Sequence, residues 1–238
     1  MNDTRTALPL ASLVSGAASA AVLDGFGLDY CCGGRQALGE ACQERGVDPA
    51  VVLGALDAIA ASAATGDRAW ATMGPAELVD HLEATHHVWL RGSLERAVPL
   101  AAKVANVHGE RHPELVQVQL VVGELSADLL PHLVKEERVL FPMIRELAAA
   151  DEAPTFHCGS LQHPIRVMGM EHDRAGELLA DLRALTGGYE PPADACASYR
   201  MLYEELDALE ADTHLHVHKE NNLLFPAVVA LEERLGAA

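Results

Sequence analysis

Val51, Val52, Ala55, Leu56 and Ile59 recur at the interval that gathers residues onto one face of an α-helix, and Asp48-Pro49 just before them supplies a capping carboxylate and a first-turn proline. Similar periodicity predicts a helix beginning near Ser15 and another over 36–45, stopped by Gly46. From Ala61 to Gly74 the apolar rhythm lapses, with Thr65-Gly66-Asp67 and Met73-Gly74 as breakers. Beyond it four longer helices are predicted, over 75–107, 113–149, 164–186 and 194–235, separated by Gly109, by Pro154 and Gly159, and by the run Gly187 to Pro192. The pattern therefore predicts an all-α protein: a small helical module over 1–64, a linker over 65–74 and a four-helix bundle over 75–238. Pro99, Pro131, Pro142 and Pro226 fall inside predicted helices, where each removes a backbone donor and is expected to bend or break the helix.

Composition reinforces the helical reading, because the chain is half apolar, rich in Ala, Leu, Val and Glu, and has only ten aromatic residues. A formal net charge of −18 disfavours nucleic acid and anionic membrane surfaces as partners, since both attract clustered Lys and Arg. No uninterrupted apolar stretch reaches the roughly 18 residues of a membrane span. Cys31, Cys32, Cys42, Cys158 and Cys196 are odd in number and irregular in spacing, which does not describe a secreted disulfide framework. Ala18-Ser19-Ala20 is shaped like an export cleavage site, but Asp3 and Pro9 interrupt the stretch before it. A cytoplasmic protein is expected.

Twelve histidines in an acidic helical chain invite a metal hypothesis, yet His followed four residues later by Glu is cheap: with 12 His and 21 Glu, about one such pair arises by chance. Either observed pair alone reads better as a surface ion pair, since exposed helical pairs are common. Their surroundings change this. Asp128, His132, Lys135, Glu136, Leu140, Phe141 and Pro142 match Asp212, His216, Lys219, Glu220, Leu224, Phe225 and Pro226 in one register, 84 residues apart, which marks a duplicated helical hairpin.

A duplicated hairpin demands an equivalent residue from the first helix of each half. His172 precedes His216 by 44 residues and His87 precedes His132 by 45; periodicity does not choose between His87 and its neighbour His86, and only the spacing favours His87. The four helices then offer His87, His132 with Glu136, His172, and His216 with Glu220, each His and Glu pair on one helix face. Six inward ligands exceed the four of a structural zinc, and mixed imidazole and carboxylate donors suit iron, with manganese or zinc as the alternatives. Two non-haem irons bridged by Glu136 and Glu220 and by one solvent-derived oxo or hydroxo group, with open positions for a small ligand, is the economical arrangement. Asp128 and Asp212, one turn before their histidines, are candidates to orient imidazoles or line a polar channel. His81, His108, His112, His157, His163, His214 and His218 are expected to face solvent or lie in loops, with His108 able to approach the site from its helix end.

Asp29-Tyr30-Cys31-Cys32-Gly33-Gly34 carries adjacent cysteines, which do not easily form a relaxed disulfide with one another. Placed at a helix start, where partial positive charge lowers a thiol pKa, Cys31 and Cys32 are candidate reactive thiols or soft metal ligands; small residues packed in a glycine turn are the alternative.

That signature, together with Asp80-His81 and His87, Lys135-Glu136-Glu137 with Phe141-Pro142, Glu171-His172-Asp173 with Ala175-Gly176-Glu177-Leu178, and Glu220-Asn221-Asn222 with Phe225-Pro226, resembles the di-iron repair-of-iron-centres (RIC) proteins, also described as ScdA-like iron-sulfur cluster repair proteins. The resemblance covers nearly the whole chain. It implies a hemerythrin-like bundle with metal ligands at His87, His132, Glu136, His172, His216 and Glu220, choosing His87 over His86. It also implies repair of iron-sulfur clusters damaged by nitric oxide or oxidants, with damaged iron-sulfur proteins as partners and the di-iron centre as a labile iron source or redox partner. An oxygen or nitric oxide carrier or sensor, and a di-iron nitric oxide reductase, are the competing readings. Asp128 stands where related proteins carry Glu, which puts a relay role there in doubt. Whether the small module forms a homodimer or folds against the bundle is left open.

Overall fold

The computed structural model describes residues 4–62 and 69–236, and among these it is helical with no β-strand. The small module holds α1 (Ala17–Gly25), α2 (Leu38–Arg45) and α3 (Pro49–Ser62). Ser19 Oγ accepts the Ser15 and Gly16 N–H groups ahead of α1, at 2.7 and 3.1 Å, and Asp48 Oδ1 accepts the Ala50 N–H at 2.9 Å to start α3. Gly46 ends α2 at φ 67°, a left-handed position that a side chain would strain. The buried face of α3 is set one residue on from the expected one: Val52 and Leu53 are in the core while Val51 is exposed, because α3 packs against both α1 and α2.

Four long rods follow. The first runs α4 (Pro75–Leu82), a π-helical turn (Glu83–His87) and α5 (Val88–His108); the second α6 (Glu114–Lys135), a π turn (Glu136–Leu140) and α7 (Phe141–Ala149). The third is α8 (Gln162–Leu185), and the fourth runs α9 (Ala197–Lys219), a π turn (Glu220–Leu224) and α10 (Phe225–Gly236). Contacts of α5 with α6 and α9, of α6 with α8, and of α8 with α9 close them into a bundle. No helix among the described residues is long and apolar enough to cross a membrane.

The prolines do not break these rods. Pro99 and Pro131 lie on exposed faces, where water can serve the carbonyl each leaves unmatched. Pro142 and Pro226 directly follow π turns in which the Phe141 and Phe225 N–H groups reach back five residues to the Glu136 and Glu220 carbonyls. The widened turn admits the proline ring, so the repeated Leu-Phe-Pro marks a π turn.

Two apolar cores lie along the bundle. Leu90, Leu133, Ala175 and Leu209 belong to one, and Leu82, Leu140, Met168 and Leu224 to the other, so each rod passes from one core to the other across its expected ligand positions. The second core continues into the module through Leu10, Leu23, Tyr30 and Leu38. The module is therefore folded against the bundle end. Of the expected linker, residues 65–68 lie outside the described residues; Trp70 is buried, with its ring against His218 at 6.0 Å and beneath the Lys219 ammonium at 5.2 Å.

Candidate metal centre

Between the two cores the six expected side chains meet. His87, His132, His172 and His216 are at most 2% exposed, and Glu136 and Glu220 are fully buried. Glu136 directs Oε2 to His87 Nε2 and Oε1 to His132 Nε2, both at 3.4 Å; Glu220 directs Oε2 to His172 Nε2 at 3.0 Å and Oε1 to His216 Nε2 at 3.2 Å. Two groups result, His87, His216 and both glutamates, and His132, His172 and both glutamates; within each, the ligand atoms lie within 4.8 Å of one another.

This arrangement is poor for hydrogen bonding and well suited to cations. No oxygen of Glu136 or Glu220 has a hydrogen-bond partner, and neither does His87 Nε2 or His216 Nε2. Buried carboxylates so placed cost several kcal/mol unless a positive charge meets them. His132 and His172 turn their Nε2 atoms to one another at 3.2 Å while each Nδ1 faces an oxygen acceptor, so two lone pairs share one spot. Burial lowers the His132 pKa, but Glu136, Glu220 and Glu171 outweigh it and bring the group to about 9, so the buried carboxylates favour positive charge at this spot. Burial raises the Glu220 carboxyl, yet His216 and His172 hold it well below the usual range.

Groups the sequence reading passed over aim the imidazoles. His87 Nδ1 is 2.9 Å from Glu137 Oε1, with Arg91 on that carboxylate; His132 Nδ1 is 2.9 Å from Glu171 Oε2, with Lys135 on its other oxygen; His172 Nδ1 is 2.9 Å from Asn221 Oδ1. Their adjacency to ligand positions, in Lys135-Glu136-Glu137, Glu171-His172 and Glu220-Asn221, was the available signal. Phe141 stacks on His87 with centroids 5.3 Å apart and Phe225 on His172 at 6.0 Å, which accounts for the phenylalanine of the repeat.

Several expectations are corrected. Asp128 is exposed and faces Arg174 at 3.8 Å, away from any imidazole; Asp212 does orient one, but it is that of His86, at 2.9 Å. His218 is 1% exposed and His214 partly buried because the module covers them: His218 Nδ1 donates to the Tyr30 carbonyl at 3.3 Å and His214 Nδ1 pairs with Asp24 at 2.8 Å. His108 is buried at the α5 end remote from the six ligands, 3.1 Å from Cys196 Sγ.

Cys31 and Cys32 lie in a loop, since α2 begins only at Leu38. The Asp29 carboxylate accepts the N–H groups of Cys31, Cys32 and Gly33 at 3.1, 2.9 and 2.9 Å, which organises the turn without a helix start. The Cys31 thiol is pushed up by its hydrogen bond with Cys32, by burial and by the Asp29 charge, the reverse of the expected lowering. Asp29, Cys31 and Cys32 form a third group whose ligand atoms gather within 4.8 Å. Asn221 links the loop to the larger site: its Oδ1 meets His172, and its Nδ2 reaches toward the Cys31 carbonyl at 3.4 Å. Cys32, Asp173, Asn221 and Asn222 line a cleft of about 960 Å³ at this seam. A maleimide titration of the folded protein is expected to label exposed Cys196 first and Cys42 last. Labelling of Cys31 ahead of Cys32 would contradict the burial of Cys31 beside its more open neighbour.

The comparisons with known proteins agree with this geometry. Residues 78–228 match the hemerythrin HHE cation binding domain, and residues 10–60 match ScdA_N, a domain of unknown function. A probable iron-sulfur cluster repair protein of Haemophilus influenzae is 37% identical over 205 residues, 86% of this chain and 88% of that one. The iron-sulfur cluster repair protein YtfE of Cronobacter sakazakii is 34% identical over 208 residues (87% and 89%), and ScdA of Staphylococcus haemolyticus, named likewise, is 30% identical over 207 (87% and 90%). With an HHE bundle matched over most of its length and such relatives aligned nearly end to end, the chain belongs to the family of iron-sulfur cluster repair proteins.

Proposed function

We propose that this protein repairs damaged iron-sulfur clusters in the cytoplasm, using two non-haem irons held by His87 with His216 and by His132 with His172, and bridged by Glu136 and Glu220. The observation that carries this reading is the sharing of two buried carboxylates between two histidine pairs, with every carboxylate oxygen unpartnered. When bound, ferrous ions supply exchangeable iron or electrons. The protein's own residues hold the imidazoles in one tautomer through Glu137, Glu171 and Asn221, and exclude water with Phe141 and Phe225. Clusters damaged by nitric oxide or oxidants are the substrates, and the proteins carrying them the partners. Residues 1–64 act as a module whose Cys31 and Cys32 receive iron as soft ligands between the bundle, 75–238, and the client. The seam cleft and the Asn221 contact support that route.

The test is anaerobic reactivation of a nitric-oxide-damaged iron-sulfur dehydratase by the iron-loaded protein. Recovery is expected with the parent and is expected to fall at least tenfold in a Cys31→Ala, Cys32→Ala double variant with its iron content unchanged. Equal recovery by that variant would remove the cysteines from the route. No recovery by the parent despite confirmed loading, with reversible oxygen binding in its place, would favour a carrier.

A further inference from the structure

The two halves of the repeat support their histidines unequally. In the repeat register His132 corresponds to His216, Lys135 to Lys219, and Glu171, just before His172, to His86, just before His87. In one half the Glu171 carboxylate takes the His132 Nδ1 proton at 2.9 Å, and Lys135, half exposed, holds the carboxylate. In the other half no carboxylate occupies that place.

His86 stands there and offers His216 nothing to bond. Its ring lies nearly parallel to that of His216, 15° apart with centroids 5.5 Å distant. Lys219, which can only donate, points Nζ at His86 Nε2 from 2.7 Å; the His86 proton therefore sits on Nδ1 and goes to Asp212 Oδ1 at 2.9 Å. Both edges of the ring are engaged away from His216. The consequence is an orphan: His216 Nδ1 is buried and has no hydrogen-bond partner, alone among the Nδ1 atoms of the four histidines. Lys219, unlike Lys135, is itself buried, at 3% exposure.

An acceptor on the far nitrogen fixes an imidazole's tautomer and orientation and makes the facing nitrogen a better donor; losing one typically costs about 10- to 100-fold in metal affinity. His132 and His172 have a carboxylate and an amide behind them. His87 and His216 have one carboxylate between the two. We infer that the two cation positions are inequivalent, with the one between His87 and His216 about 10- to 100-fold weaker and first to empty, and that His86 is the positioning residue that makes it so. This rests on the two-cation reading of the site and names which of the two cations is exchangeable.

Cobalt(II) titration of the cation-free protein against a competing chelator reads the inference without any repair assay. Two equivalents bound in resolved steps are expected. His86→Glu places a carboxylate beside His216, in register with Glu171 and within reach of Lys219, and is expected to tighten the weaker step by about tenfold or more, merging the two. Glu171→Gln is expected to loosen the tighter step. Should His86→Glu fail to fold, crystals of the parent holding one equivalent of cobalt(II) give the same answer by anomalous scattering, with density expected at His132 and His172. Equal occupancy, two steps of equal affinity, or a folded His86→Glu variant with the weaker step unmoved would overturn the inference and leave the two-cation reading standing. Uptake of a single equivalent would overturn both.

Discussion

Replacing Glu136 and Glu220 together by alanine is expected to abolish uptake of both cations and, with it, cluster repair. Each carboxylate faces two histidines from different rods, at 3.0 to 3.4 Å, so the double replacement takes two of the four donors from each half-site. The stability consequence is divided. A cation present at a hundred times its dissociation constant stabilises the fold by about 2.7 kcal/mol per site, and that increment should vanish from the melting curve. The cation-free protein should change far less, because alanine also removes two fully buried carboxylates whose oxygens have no hydrogen-bond partner, offsetting the voids it leaves. Calorimetry with and without cobalt(II) checks both halves of the expectation. A double variant that still binds two equivalents would place the centre elsewhere.

The second large effect is expected from Gly34→Ala, one methyl group at the seam. A Cβ at Gly34 would lie 2.5 Å from the Tyr30 carbonyl oxygen, 2.8 Å from Asn222 Oδ1 and 2.9 Å from the Ala11 Cβ. The carbonyl cannot give way freely, since it accepts from His218 Nδ1 and Asn222 Nδ2, both at 3.3 Å. Either the cysteine loop shifts or the module rides off the bundle, at a cost of about 1–3 kcal/mol for the overpacking. Movement of the loop also disturbs Asn221, so the variant should bind cobalt(II) more weakly although residue 34 is no ligand. Gly25→Ala is the control: its Cβ would meet nothing within 4 Å, and alanine at this last position of α1 should be neutral or mildly stabilising. Two variants melting alike, with unchanged cobalt affinity, would mean that the loop does not couple to the site.

Much of the bundle was legible because helices announce themselves by period, and the four rods end within a few residues of the expected limits. The π turns were not legible. Their signature is a backbone hydrogen bond spanning five residues, which leaves no apolar rhythm of its own, so Pro142 and Pro226 looked like breaks. The cysteine pair was misplaced for a related reason: the turn that holds it is organised by Asp29 accepting from three N–H groups, a local arrangement with no apolar rhythm to tell it from a helix start. The roles of Glu137, Glu171 and Asn221 left only their adjacency to ligand positions as a signal, because each acts on a histidine of a different rod. His218 and His214 read as exposed because nothing in the fourth rod says that the module lies on top of it.

The sequence by itself determined the all-α class, the duplicated hairpin and five of the six residues that converge, because helical spacing of 3.6 residues and a repeat of 84 are properties of the chain read in one dimension, while the choice of His87 over His86 rested on the family resemblance. Only the tertiary structure decided which acceptor stands behind each imidazole, why His216 has none, and how Cys31 comes to touch the support of His172. Those are contacts between residues from 39 to 190 positions apart, made by side chains whose direction is fixed by packing.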